Sequence, residues 1–316
     1  MSQNFLNFEL ENGYPVNRLP NYKNEFKHNG KNTRINNRLA SGLYLAKNAL
    51  GSSRVVTSKE VSFQEKEGLY IGRQDSRHSV MFGLLNSSFN SGDFQIPVAI
   101  KPSDKPAQLL GELAILQYLQ SETDQSTYLP IGYFSSDSSD YLITEFNNGV
   151  STFDVYEWKR LNNGNKVKLL EEISSGIGRL HSQFLYHGDA HAKNLAIDDN
   201  NKFYIVDPEF MVSSSDIAKN LASQKDFGRG TSDYIGIRRQ MNRDLTDMYS
   251  SMLHKVFNSR KIRNQHDKLN LLNKHVFLPY KSELVEYSNS RYSYLLESLA
   301  DDLLLDWQTK ANNEIL

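Results

Sequence analysis

His187, Asp189, His191, Asn194 and Asp207 crowd into one stretch of the chain, Leu185-Tyr-His-Gly-Asp-Ala-His-Ala-Lys-Asn-Leu-Ala-Ile followed by Phe203-Tyr-Ile-Val-Asp-Pro-Glu-Phe. The β-rich runs Leu195–Ile197 and Phe203–Val206, joined by Asp198-Asp-Asn-Asn-Lys, predict a hairpin. Asp189 and Asn194 then lie on the loop entering the first strand, and Asp207 on the loop leaving the second. Antiparallel strands return the chain to its starting point, so the three side chains can converge. Two carboxylates and an amide oxygen suit a hard divalent cation, and Mg²⁺ commonly combines one or two carboxylates with substrate phosphates. The chemistry indicated is phosphate transfer.

The spacing His187-Gly-Asp189, four residues, Asn194 and then Asp207-Pro-Glu resembles the protein-kinase signature H-R-D, four residues, Asn and D-F-G. His-Gly-Asp with His191 two places later resembles the small-molecule branch of the kinase-like superfamily, typified by aminoglycoside and choline phosphotransferases. Asp189-Ala-His-Ala-Lys-Asn194 is also similar to the catalytic run of HipA-type toxin kinases. The resemblance implies that Asp189 is the catalytic base and that Asn194 and Asp207 hold Mg²⁺. It gives His187 hydrogen bonds to the backbone near Asp207. For His191 it leaves three roles open: a γ-phosphate contact, organisation of the loop, or structural packing.

Such a site needs elements that bring nucleotide to it. Gln95-Ile-Pro-Val-Ala-Ile-Lys101 reads as an apolar strand ending in a lysine, similar to the kinase V-A-I-K strand whose lysine holds the α/β-phosphates. Residues 107–119 have helical periodicity with Leu109, Leu113 and Leu116 inward, and Glu112 is the one acidic residue inside that run. By the resemblance Glu112 pairs with Lys101. Strands over 128–134 and 141–146 lead to the place of the kinase hinge, where the backbone of Glu145, Phe146 and Asn147 would meet adenine. No G-x-G-x-x-G loop precedes Lys101. Gln74–Ser79, with Ser76 near its middle, and Gly51–Ser53 are the candidate turns over the phosphates, the first preferred for its place between strands.

The remaining elements frame the site. Residues 41–50 read as a short helix, and 55–61, 68–73 and 80–85 as strands. Helices are expected over 153–161, 166–185, 234–257, 271–277 and 282–305, with Leu170, Ile173, Ile177, Leu180 and Phe184 as core positions. Residues 211–233 correspond to an activation segment or substrate-facing loop, and 259–268 to a connecting loop. Within 234–257, Arg243-Asp-Leu-Thr-Asp-Met-Tyr249 resembles the buried helix that supports the kinase catalytic loop, and by that resemblance Asp247 is the expected anchor for the loop backbone.

At 316 residues the chain is long enough for two lobes. Its net charge of −1 gives no general pull toward nucleic acid or an anionic membrane. The absence of cysteine excludes disulfides, thiolate zinc sites and cysteine nucleophiles. No apolar run approaches the ~20 residues of a membrane helix, and the first residues lack the pattern of a signal peptide, so a cytoplasmic protein is expected. The expected fold is α+β and two-lobed, protein-kinase-like: an irregular extension over 1–40, a small β-rich N-lobe over 41–146 and a larger, mainly helical C-lobe over 147–316. The expected activity is ATP- and Mg²⁺-dependent transfer to a protein Ser/Thr or a small-molecule hydroxyl. A nucleotide-binding module without turnover and an AMP transferase are the alternatives.

Overall fold

The structure is a computed structural model and describes residues 22–28, 31–36, 58–65, 80–89, 92–103, part of 109–128, 130–135, 140–145, 151–152, 163–197, 202–224, 227–256 and 265–312. It is α+β, mainly helical, with small and largely antiparallel sheets. The chain divides into two compact units, residues 1–149 and 150–316.

The first unit is a closed barrel. Its strands are β1 (Tyr22–His28), β2 (Lys31–Asn36), β3 (Ser58–Glu65), β4 (Met81–Phe89), β5 (Gly92–Ser103), β6 (Pro130–Ser135) and β7 (Asp140–Glu145). They run in the order β1-β2-β6-β7-β5-β4-β3, closed by parallel pairing of β1 with β3. Within the stretch expected to be irregular, 1–40, residues 22–28 and 31–36 are the strands β1 and β2. Asn29-Gly30 lies between them, the dipeptide that most favours a two-residue hairpin turn. In the sequence that signal is masked by the surrounding Asn and Lys.

The long strand β5 pairs with β4 throughout, and with β7 from Val98↔Glu145 to Ser103↔Asp140. Pro97 falls just outside the β7 ladder, so its missing N–H interrupts no bond there. The described residues of 109–119 form helix α1. Leu109, Leu113 and Leu116 recur at i, i+4 and i+7 and cluster with Leu142 of β7. The expected helix over 41–50 and strand over 68–73 lie outside the described residues, as does the helix over 153–161.

The second unit is built on α2 (Asn163–Ser182). Leu170, Ile173, Ile177, Leu180 and Phe184, the core positions read from the sequence, are all buried. At roughly 1.5–3 kcal/mol each, their burial fixes which face of α2 points inward. β8 (Ser151–Thr152) precedes α2, and β9 (Leu185–Tyr186), β10 (Leu195–Ile197), β11 (Phe203–Ile205) and β12 (Val212–Ser213) follow it. β10 pairs with β11 and β8, and β9 pairs with β12. The helices are α3 (Ser215–Ser223), α4 (Ser232–Val256), α5 (Gln265–Leu272), a π-helical turn at Asn273–Phe277, α6 (Leu278–Glu286) and α7 (Ser293–Asn312). Among the described residues no helix is long and apolar enough to cross a membrane.

The helix expected over 166–185 runs Asn163–Ser182, with Leu185 already in β9, and three further boundaries differ from the sequence reading. Residues 211–233 contain a nine-residue helix, α3, which buries Ala218 and Leu221. The loop expected over 259–268 ends at Gln265, where α5 begins. The single helix expected over 282–305 is two, α6 and α7. At the break, Ser288 Oγ donates to the Val285 carbonyl at 2.7 Å and Arg291 N–H donates to Asn289 Oδ1 at 3.1 Å. Ser and Asn side chains there satisfy backbone groups that a continuous helix would need.

Two glycines let other elements approach α2. A Cβ on Gly176 would stand 2.2 Å from the Phe203 ring of β11, and one on Gly178 would stand 2.5 Å from the Tyr280 carbonyl of α6. Gly176→Ala gains roughly 1 kcal/mol of helix propensity, and overpacking against a buried ring typically costs 1–3 kcal/mol. Since Phe203 is buried, overpacking should win. Thermal denaturation should show Gly176→Ala melting lower than wild type, and adding Phe203→Leu should recover part of the loss. A higher melting point for Gly176→Ala would show that the hairpin does not rest on α2 in this way.

Candidate active site

α2 ends at Ser182, and Phe184 N–H donates to the His181 carbonyl at 2.9 Å. Phe184 has a left-handed φ of 56°, a conformation that costs a bulky residue about 1–3 kcal/mol. Its buried ring, edge-on to Tyr292 at 5.1 Å, offsets that cost and turns the chain into β9.

The next two residues meet α4. His187 N–H donates to Asp244 Oδ2 at 2.6 Å and Gly188 N–H to Asp244 Oδ1 at 2.8 Å. Asp244 is fully buried, and its Oδ2 also faces His181 Nε2 at 3.1 Å. A buried carboxylate is tolerable only when hydrogen bonds replace its hydration, and here backbone and side-chain N–H groups do so. About two turns further along α4, Ser251 Oγ accepts the Ala192 N–H at 2.9 Å. Gly188 carries φ +75°, and a Cβ there would stand 2.3 Å from the Phe210 carbonyl. That position excludes any side chain.

The anchor is therefore Asp244 and not Asp247. Asp247 is half-buried beside Arg243 at 3.7 Å. Burial is the main cause raising its carboxyl above the ordinary range; Arg243 opposes the rise, while Asp244 and Asp189 add to it. The Arg-Asp-Leu-Thr-Asp run offered two aspartates, and helix phase favours 244, in line with the buried residues Leu245, Met248 and Met252.

Asp189 and Asn194 are brought together. Asn194 Nδ2 donates to Asp189 Oδ2 at 2.9 Å and to the Asp189 carbonyl at 3.1 Å. The Asn194 amide oxygen is thereby turned away from Asp189. His191 N–H donates to the Asp189 carbonyl at 2.9 Å and Asn194 N–H to the His191 carbonyl at 2.8 Å, which winds the loop tightly. His191 Nε2 lies 3.5 Å from Asp189 Oδ2, with both side chains about one-third exposed. His191 thus borders the carboxylate, and its Nδ1 accepts the Lys193 N–H at 3.3 Å.

Asp207 follows β11. The hairpin register Leu195↔Ile205 extends to a Val206 N–H bond to the Asn194 carbonyl at 3.2 Å. Asn194 and Asp207 consequently leave the same end of the hairpin. Asp207 is left-handed at φ 54° and precedes the 3₁₀ turn Pro208–Phe210. His187 Nε2 hydrogen-bonds the Val206 carbonyl at 3.1 Å, the contact with backbone next to Asp207 that its position predicts. A carbonyl only accepts, so Nε2 carries the proton, while the buried Nδ1 has no partner among the described residues.

In the first unit, Lys101 Nζ donates to Glu112 Oε2 at 2.8 Å, joining the strand lysine to the helix glutamate. Their side chains are 13% and 6% exposed, so each charge depends on the other. Glu145 closes β7 opposite Val98. Ser76, Phe146 and Asn147 lie outside the described residues. The sequence reading missed Asp244, His181, Ser251 and Tyr280. A cue was present for one of them: His181 falls on the buried α2 stripe, one turn after Ile177.

Compared with known proteins, the chain matches no family model, and no curated protein matches it.

Removing a carboxylate that holds buried donors should cost about 3–5 kcal/mol, or roughly 6–20 °C in a unit of this size. Calorimetry should find that loss for Asp244→Ala, whereas Asp247→Ala should shift the melting point by less than about 3 °C. Equal shifts for the two variants would refute the assignment of Asp244 as anchor.

Proposed function

We propose that the chain is an ATP- and Mg²⁺-dependent phosphotransferase with a two-lobed, kinase-like fold, residues 1–149 serving as the N-lobe and 150–316 as the C-lobe. One observation carries this reading: the Asp189 carboxylate is held by Asn194 at 2.9 Å on a loop whose amides are fixed by a buried aspartate. Such a carboxylate is aimed and partly exposed, as a base for a substrate hydroxyl must be. Asn194 fixes its orientation. The loop thereby avoids the entropy of searching for a productive geometry.

The donor set suits the cation. The Asn194 amide oxygen and the Asp207 carboxylate are hard oxygen ligands, and they leave the same end of the hairpin. When bound, Mg²⁺ would neutralise phosphate charge. Lys101, paired with Glu112 at 2.8 Å, is assigned to the α/β-phosphates, and the backbone of Glu145, Phe146 and Asn147 to adenine. Ser76 is assigned to the turn over the phosphates. His191, bordering Asp189, is assigned to the γ-phosphate, and His187 holds the loop against the backbone before Asp207. The acceptor is the hydroxyl of a protein Ser/Thr or of a small molecule, encountered in the cytoplasm where ATP is abundant.

The test is incubation of the whole protein with Mg²⁺ and ATP labelled at the γ or the α position, alone and then with cell lysate. Transfer of the γ-label alone is expected. Asp189→Asn and Asp207→Asn should each lower it about 10²–10⁴-fold with the melting point retained. Transfer of the α-label would select AMP transfer on the same fold. Thermal stabilisation by Mg-ATP with no transfer of either label would select a nucleotide-binding module.

A further inference from the structure

We infer that Tyr280 is a positioning residue for the catalytic loop, acting through His181 and Asp244. The inference rests on the kinase reading for its effect on rate, and on geometry alone for its effect on the loop.

The hydrogen bonds form one directed chain. Asp244 Oδ2 accepts the His187 N–H at 2.6 Å and lies 3.1 Å from His181 Nε2. A carboxylate offers no proton, so His181 Nε2 is the donor. In the neutral ring Nδ1 is then an acceptor, and it lies 2.9 Å from Tyr280 Oη. In that tautomer the phenol donates to His181, His181 donates to Asp244, and Asp244 receives the two loop amides. All three side chains are fully buried, so no water replaces a missing link. Burial, reinforced by Tyr186 and Asp244, keeps the Tyr280 phenol well above the ordinary tyrosine range, so it remains a donor.

Two further features support the assignment. The imidazole is held on two sides, tilted against Tyr186 at 5.4 Å and edge-on to Tyr280 at 5.6 Å. Gly178, three residues before His181 and so on the same side of α2, admits the Tyr280 carbonyl to within 2.5 Å of where a Cβ would stand. Close approach of α6 brings the phenol to the ring.

The function of the phenol is to choose the tautomer. Without it, His181 can carry its proton on Nδ1, which turns an Nε2 lone pair toward the Asp244 carboxylate. That repulsion loosens the grip of Asp244 on the His187 and Gly188 amides, two and one residues before Asp189. Two carboxyl contacts would slacken at the base of the loop.

The test compares full-length wild type, Tyr280→Phe, His181→Gln and the double variant. Glutamine places an N–H₂ near the position of Nε2 and has no tautomers. In ¹⁵N-histidine spectra, wild-type His181 should show protonated Nε2, and Tyr280→Phe should populate protonated Nδ1. Hydrogen exchange of the His187 and Gly188 amides should quicken at least about tenfold in Tyr280→Phe, and kcat should fall about tenfold with KM for ATP unchanged. In the His181→Gln background, adding Tyr280→Phe should change exchange and kcat less than about twofold. Gly178→Ala should reproduce the loss of amide protection. If Tyr280→Phe leaves tautomer and exchange unaltered, the inference is wrong, whatever the activity. If tautomer and exchange change as stated while wild type transfers no label from ATP, the relay stands and the kinase reading fails.

Discussion

A fully buried carboxylate, Asp244, governs the second unit. Its charge cannot remain in the interior unless hydrogen-bond donors stand in for water, and the nearest available donors are the backbone N–H groups of His187 and Gly188. The loop cannot lift away without stranding that charge, at a cost of about 3–5 kcal/mol against a total stability of order 5–15 kcal/mol. One electrostatic requirement thus fixes where the chain runs immediately before Asp189. The position of the carboxylate that could do chemistry follows from the position of one that does none.

Backbone conformation meets the same constraint. Among the described residues, the positive φ angles fall at Phe184, Gly188 and Asp207, all bordering the site. Each costs free energy relative to an ordinary turn, least for Gly188, and each sits where neighbouring contacts leave the chain no alternative. Phe184 is offset by ring burial against Tyr292, Gly188 lies under the Phe210 carbonyl, and Asp207 is bracketed by the His187–Val206 bond and a 3₁₀ turn. Local strain and buried hydrogen bonds together define a loop with little freedom. That rigidity is the property a positioned base needs.

Lys101 and Glu112 show the same logic in the first unit. A lysine on a barrel strand with its side chain 13% exposed loses much of its hydration, and the glutamate of α1 restores the balance at 2.8 Å. The stripe Leu109, Leu113 and Leu116 sets the rotation of α1, and with it the direction in which Glu112 points. An apolar period places the helix, and the helix places the charge.

Composition, period and spacing by themselves determined the hairpin at 195–205, the buried stripe of α2, the lysine at the end of β5 and the glutamate on α1, because each is encoded by neighbours within a few residues. The pairing of Asp189 with Asn194, and the departure of Asn194 and Asp207 from the same end of the hairpin, were legible for the same reason: an antiparallel pair converts linear spacing into proximity. Strands β1 and β2 were less so, since pairing with distant strands outweighed a composition typical of loops. Only the tertiary structure decided between Asp244 and Asp247 and joined Tyr280 to His181 across α6 and α2. Those outcomes depend on helix rotation, close approach at a glycine and the desolvation of particular carboxylates. Each is a property of packed neighbours far apart in the chain, and local sequence carries no record of it.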